Sequence, residues 1–129
     1  MLRNTRQRSA IESVLKNADR PLSVHELQQL AAQTVDRLGM ATVYRAIKNM
    51  LEEGLIRKVE IPEQTPHYEM ADLHHHHHFY CEHCERVFEI EACPPGVNSL
   101  APAGFQVKRH EITLYGTCSE CGAPAKASA

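Results

Sequence analysis

Two Cys-x-x-Cys pairs and an unbroken run of five histidines constrain this 129-residue chain more than any other feature. Cys81-Glu82-His83-Cys84 and Cys118-Ser119-Glu120-Cys121 lie 33 residues apart. A Cys-x-x-Cys turn aims two sulfurs at one point, and zinc favours tetrahedral thiolate coordination. The pairs therefore predict a closed structural zinc site on Cys81, Cys84, Cys118 and Cys121. The separation is too long for a compact zinc finger, so the stretch between the pairs must itself fold. Two disulfides or a redox pair are the rival reading. The polar start, MLRNTRQR, has no secretory pattern, which predicts a reducing compartment and disfavours them. His83, inside the first pair, is expected on the surface.

The histidine run, His74 to His78, resembles an affinity tag, but it is internal and leads directly into a strand and a cysteine pair. On an extended segment His75 and His77 face one side while His74, His76 and His78 face the other. One segment can then feed two metal sites. Imidazole suits zinc, iron, nickel and copper, and the Irving–Williams order forbids choosing among them on affinity alone.

Charge is divided unevenly. Residues 1–61 carry a net +3 and residues 62–129 a net −5, and the second part holds eight of nine histidines and all five cysteines. No run of about 18 apolar residues exists, so no membrane span is expected. In the basic part, Ile11, Val14, Leu15 and Ala18 recur at helical spacing and stop at Asn17–Pro21. Ser23-Val24-His25-Glu26 reads as a capping box opening a second helix with Leu27, Leu30 and Ala31 inward. Val43, Ala46, Ile47, Met50 and Leu51 define a third, with Thr42 as N-cap and Gly54 as stop. Strands are predicted over Leu55–Ile61 and His67–Met70, around a Pro62…Pro66 turn. His25 is assigned no role.

Three helices and a hairpin make a winged helix-turn-helix, whose third helix enters the major groove. Arg45 could pair with a guanine edge and Tyr44 pack on thymine methyls. Arg3, Arg6, Arg8, Lys48, Arg57 and Lys58 would touch phosphates. A plain helical bundle with a solvated basic face is the competing explanation.

Taken together, Gly39-Met40-Ala41-Thr42-Val43-Tyr44-Arg45-Ala46, the histidine run before Cys-x-x-Cys, and His110…Leu114-Tyr115-Gly116-Thr117-Cys118 resemble the ferric uptake regulator superfamily from Thr5 to Cys121. The resemblance implies an α+β chain: a winged-helix DNA-binding domain over 1–71, then a small α/β metal-binding dimerisation domain over 72–129. It also implies a bacterial cytoplasmic homodimer that binds palindromic, A/T-rich operator DNA when metal-loaded and represses metal uptake or controls peroxide defence. Tyr44, Arg45, Lys48, Thr42, Arg57 and Arg3 become the DNA-binding candidates. The four paired cysteines match the family's structural zinc positions.

The resemblance further assigns Glu69, His76, His78 and Glu89 to an inter-domain regulatory site. The family's remaining ligand there, a histidine before the second helix, falls on Pro21, and His67 is a candidate substitute. A second site would use His75, His77, His110 and an acidic residue on an intervening helix. Around Glu91–Gly96 the chain is about three residues shorter than usual for the family, and counting back from Gly104 puts Cys93 at the acidic position, with Glu91 the fallback. Family members of the iron type commonly have Asp where His77 stands and zinc-type members His. A His₃Cys site favours zinc over ferrous iron, because thiolate is the softer donor. The chain also starts later than many relatives, so a minor-groove contact from that end must come from Arg3 or be lost.

The expected function is therefore a metal-responsive repressor, not an enzyme, with structural Zn²⁺ and a regulatory Zn²⁺ or Fe²⁺, Mn²⁺ being a further candidate. The zinc-uptake branch is preferred. Iron or peroxide sensing is the nearest alternative. A metal-storage or buffer protein, using the histidine run as a reservoir, is an alternative of another class. A zinc hydrolase is disfavoured because no open coordination position or separate general base stands out.

Overall fold

The computed structural model describes residues 2–122, with side chains from Arg6 onward. Two compact units meet in the sequence between residues 73 and 74, two residues beyond the boundary read from the sequence.

The first unit orders α1 (Leu2–Asn17), β1 (Leu22–Ser23), α2 (Val24–Ala31), α3 (Met40–Glu52), β2 (Ile56–Val59) and β3 (His67–Met70). Its core is continuous: Ile11 and Leu15 from α1, Leu27 and Ala31 from α2, and Val43, Ile47 and Met50 from α3 pack with Leu22, Ile56, Tyr68 and Met70. The α3 positions are the i, i+4, i+7 stripe of one helix face, which fixes that face inward and leaves the polar face outward.

α2 opens as predicted. Glu26 N–H donates to Ser23 Oγ (3.2 Å) and Ser23 N–H donates back to Glu26 Oε1 (3.0 Å), a reciprocal cap whose side-chain half contributes about 1 kcal/mol. α3 does not start at Thr42. Gly39, in extended conformation, is the N-cap, and it caps without a side chain. Thr42 lies inside the first turn, where its hydroxyl accepts from Arg45 Nη2 (3.4 Å). The other end is as expected. Gly54 takes φ +76°, Gly54 N–H donates to Leu51 C=O (3.0 Å) and Leu55 N–H to Met50 C=O (2.9 Å). Those are the paired bonds of a Schellman stop, which require a left-handed residue at that position.

The wing is a three-stranded antiparallel sheet, ordered β1-β3-β2. The strand expected over Leu55–Ile61 narrows to Ile56–Val59, and two-residue β1 was not foreseen. A two-residue strand is too short to leave an alternation in the sequence. Leu30, expected inward on α2, is 38% exposed.

The second unit is a three-stranded sheet of order β5-β4-β6, with β4 (His77–Cys81) antiparallel to β5 (Val87–Ile90) and parallel to β6 (Thr113–Gly116). The helix expected between the cysteine pairs is a single 3₁₀ turn, Val97–Leu100, among the described residues. Pro94, Pro95 and Gly96 sit just ahead of it, two residues without a backbone N–H followed by one in the left-handed region (φ +79°).

Leu27 is fully buried at the centre of the first core. Leu27→Ala is expected to cost about 2–5 kcal/mol in urea unfolding of the first unit, with the metal content of the second unaffected; a cost under about 1 kcal/mol would contradict this packing.

Candidate metal centres

The first cysteine pair ends β4. Glu85 N–H donates to Cys81 C=O (2.8 Å) and Cys81 N–H to Arg86 C=O (3.0 Å), with Glu85 at φ +65°. This tight turn brings Cys84 back beside Cys81. The second pair follows β6, so the parallel pairing of β4 with β6, Cys81 opposite Gly116, carries Cys118 and Cys121 to the same place. The four sulfurs all lie within 4.8 Å of one another. Cys84 and Cys118 are 3.9 Å apart, against the about 3.8 Å edge of a sulfur tetrahedron around zinc. None of the five cysteines is in a disulfide. The donor set fits a structural zinc.

The thiols are unequal. Burial pushes Cys81 up, but the amides of Cys84, Cys118 and His83 outweigh it and bring its thiol down to about 6. Cys121 goes the other way: burial first, then the facing sulfurs of Cys118, Cys84 and Cys81, push it up to about 12. Holding all four as thiolates this close would require a cation.

The histidine run divides as the alternation predicts. On one side, His75 Nε2 lies 3.2 Å from both His77 Nε2 and His110 Nε2. Cys93 Sγ closes the group at 3.4 Å from His77 and 3.2 Å from His110. Nitrogens on a zinc tetrahedron are about 3.3 Å apart, so the three imidazoles and the thiol have the spacing of one ion's ligands. Glu91, the fallback, pairs instead with His74 (3.6 Å). Burial, then the imidazoles of His75 and His110, hold His77 below the ordinary histidine value. Ile112 N–H donates to His77 Nδ1 (3.1 Å), which leaves the proton of the neutral ring on Nε2, facing the group.

On the other side, His76 Nε2 and His78 Nε2 are 3.1 Å apart. His76 Nδ1–H donates to His74 C=O (2.7 Å), so its Nε2 presents a lone pair, the arrangement usual for a metal-ligating imidazole. Glu89 lies opposite His78 in the β4–β5 ladder, on the same sheet face.

In the first unit, Glu69 is buried on β3 and accepts from Arg57 Nε at 2.7 Å. Arg57, expected on phosphate, is thus the counter-ion of an expected ligand; the two are cross-strand neighbours on β2 and β3. One step beyond the β1–β3 ladder, Pro21 stands opposite Glu69. His67 Nδ1–H donates to Thr65 C=O (2.9 Å) and its Nε2 lies 4.0 Å from Glu26. The open face of α3 carries Tyr44, which is 54% exposed, with Arg45 and Lys48 exposed beside it and Thr42 half-buried. Arg8, another expected phosphate contact, makes a two-pronged ion pair with Glu53. The side chain of Arg3 lies outside the described residues.

Sequence reasoning missed Arg86. Its Nε donates to Cys84 Sγ (3.2 Å), and its Nη2 donates to Glu120 Oε1 (2.6 Å). A lone cation two positions after the second cysteine was the available signal.

The sequence pattern of the ferric uptake regulator family matches residues 1–115. The chain is 32% identical over 123 residues to a zinc uptake regulation protein of Mycobacterium tuberculosis, covering 93% of this chain and 95% of that one. It is 30% identical over 125 residues to a ferric uptake regulation protein of Synechococcus elongatus, covering 92% and 85%. Among solved structures it resembles the Helicobacter pylori ferric uptake regulator, described as having three functional metal-binding sites. That match has a TM-score of 0.72 at 25% identity, over 89% of this chain and 79% of that one.

Cys118→Ser is expected to remove about one zinc per protomer by elemental analysis and to abolish cooperative unfolding of the second unit, since structural zinc supplies folding free energy outright. Unchanged metal content in this variant would rule the four-sulfur site out.

Proposed function

Because this chain belongs to the ferric uptake regulator family, and is thus a metal-responsive transcriptional regulator, we propose that it is a repressor which binds a palindromic DNA operator as a metal-loaded homodimer and takes zinc as its regulatory ion. The observation that carries the zinc assignment is the close approach of Cys93 to His75, His77 and His110. Three imidazoles and one thiolate make a softer donor set than the nitrogen and oxygen ligands suited to ferrous iron or manganese.

Two zinc ions then have different duties. The paired cysteines, with Cys81 and Cys118 buried, hold an ion that stays. His75 and Cys93 are exposed, so an ion on the histidine–cysteine set exchanges with the solution. His76, His78 and Glu89 are the second unit's contribution to a further regulatory ion, and their nitrogen–oxygen character is what favours the iron or manganese reading. Metal that binds the DNA-competent arrangement more tightly shifts the population toward it, and by linkage operator DNA tightens metal binding.

On the DNA side, Arg45 and Tyr44 would face base edges while Lys48 meets phosphate and Thr42 buttresses Arg45. The paired half-sites of a dimer, about one helical turn apart, account for the palindrome.

Elemental analysis per protomer, before and after mild chelation and again after refilling, tests this directly. One zinc should resist the chelator, and a second should leave and return with restored operator binding. Cys93→Ser is expected to weaken the exchangeable zinc about tenfold or more, the effect of losing a soft ligand, while sparing the resistant one. If iron rather than zinc restores binding, the zinc assignment is wrong. Arg45→Ala should relax discrimination between operator and scrambled DNA, whereas Lys48→Ala should weaken both alike and reduce the salt slope by about one; equal behaviour of the two variants would refute the division of roles.

A further inference from the structure

The sulfurs of the paired-cysteine site are not stabilised by the same means. Cys81 Sγ accepts two main-chain amides, from Cys84 (3.5 Å) and Cys118 (3.3 Å). Cys84 has a side chain instead: Arg86 Nε donates to it at 3.2 Å, and the same guanidinium reaches Cys118 through Nη2 at 4.0 Å. The fork is held from two further directions. Glu120 takes Nη2 at 2.6 Å, and the Phe88 ring lies 5.5 Å under the guanidinium carbon. Arg86 is 28% exposed in its side chain while Glu120 is 74% exposed, so the cation lies partly under cover and the carboxylate anchors it from outside. Four thiolates around one divalent ion leave a net charge of −2, and a cation at hydrogen-bonding distance offsets part of it in a region of reduced dielectric.

We propose that Arg86 is a positioning residue for the four-cysteine zinc: anchored by Glu120, its guanidinium hydrogen-bonds the Cys84 thiolate, borders Cys118, and so slows release of the ion. This rests on the reading that the four cysteines hold zinc. Arginine suits the task better than lysine because its planar fork serves a sulfur and a carboxylate at once and never loses its charge. Partners outside the ligand shell typically change metal affinity about 10- to 100-fold, so the effect is large enough to measure.

The test compares wild type, Arg86→Gln and Arg86→Lys as full chains, reading zinc content, the rate of zinc transfer to a chromophoric chelator, and the sulfur-to-metal charge-transfer band after cobalt replacement. Arg86→Gln is expected to start with one resistant zinc, to release it about tenfold or more faster, and to shift the cobalt band to longer wavelength as Cys84 loses its charged donor. Arg86→Lys should fall between. Should Arg86→Gln not fold, Glu120→Ala serves instead: it leaves the cation but frees its fork, and a several-fold faster release is expected. Release at the wild-type rate overturns the proposal. Faster release with an unmoved cobalt band overturns it too, because that pattern belongs to a mere structural brace. A wild-type protein without resistant zinc overturns the zinc reading itself and this inference with it.

Discussion

Four cysteine sulfurs from two turns distant in sequence converge on one point of the second unit, all within 4.8 Å of one another. Among the described residues, its buried side chains are Tyr80, Cys81, Val87 and Cys118, with His76 and His77. Two of these belong to the cysteine site and two to the histidine run. Within the single chain this three-stranded sheet buries little aliphatic surface, with Leu100, Phe105, Leu114 and Tyr115 exposed, so apolar burial at about 25 cal/mol per Å² contributes little inside one protomer. The covalent chain brings Cys81 and Cys84 together, but only the pairing of β4 with β6 brings Cys118 and Cys121 to them. Metal binding at these four sulfurs would therefore favour formation of the sheet. Burial and the facing sulfurs raise the Cys121 thiol while main-chain amides lower that of Cys81, so the four sulfurs do not give up their protons equally.

The first unit is built on the opposite principle. Its core runs unbroken through three helices and the wing, and its ends are fixed by main-chain devices, the Ser23–Glu26 box and the Gly54 stop. It has no need of a metal to fold, which leaves the polar face of α3 free to be selected for recognition. Its one buried carboxylate among the described residues, Glu69, has an internal counter-ion in Arg57. Any cation that takes this carboxylate shares it with a guanidinium or displaces it, and removing one partner of such a pair leaves the other charge uncompensated.

What was legible in the sequence follows from periodicity and spacing. The α3 stripe, the capping box and the strand at His67–Met70 are local patterns, and the structure has all three. The alternation of His75 and His77 against His76 and His78 follows from strand geometry, and it survives even though β4 begins only at His77. What was not legible depends on pairing between distant residues. Thr42 was the better capping residue by type, yet Gly39 has the extended backbone and the position. Arg57 and Arg86 read as surface cations until cross-strand register and the Cys118–Cys121 turn supply Glu69 and Glu120 as partners. Cys93 gained its place only by counting through a shortened loop, and no composition or periodicity argument distinguishes it from a small buried hydrophobe.

Neighbouring histidines in the run are wired in opposite senses by the backbone. His76 gives its Nδ1 proton to the His74 carbonyl, so Nε2 is ready to donate a lone pair. His77 receives the Ile112 amide at Nδ1, so its neutral ring holds the proton at Nε2, toward His75 and Cys93. A metal entering through His77 must expel that proton or break that amide bond, whereas one entering through His76 meets no such cost. Burial and the surrounding imidazoles, which make a second proton on His77 less favourable, do nothing to remove the first. On the histidine–cysteine group a metal would therefore compete with a proton for one nitrogen, whereas His76 already carries its proton on Nδ1. Metal ions bound on the two sides of the run would therefore meet different starting states, because the main chain sets the tautomer of each histidine separately.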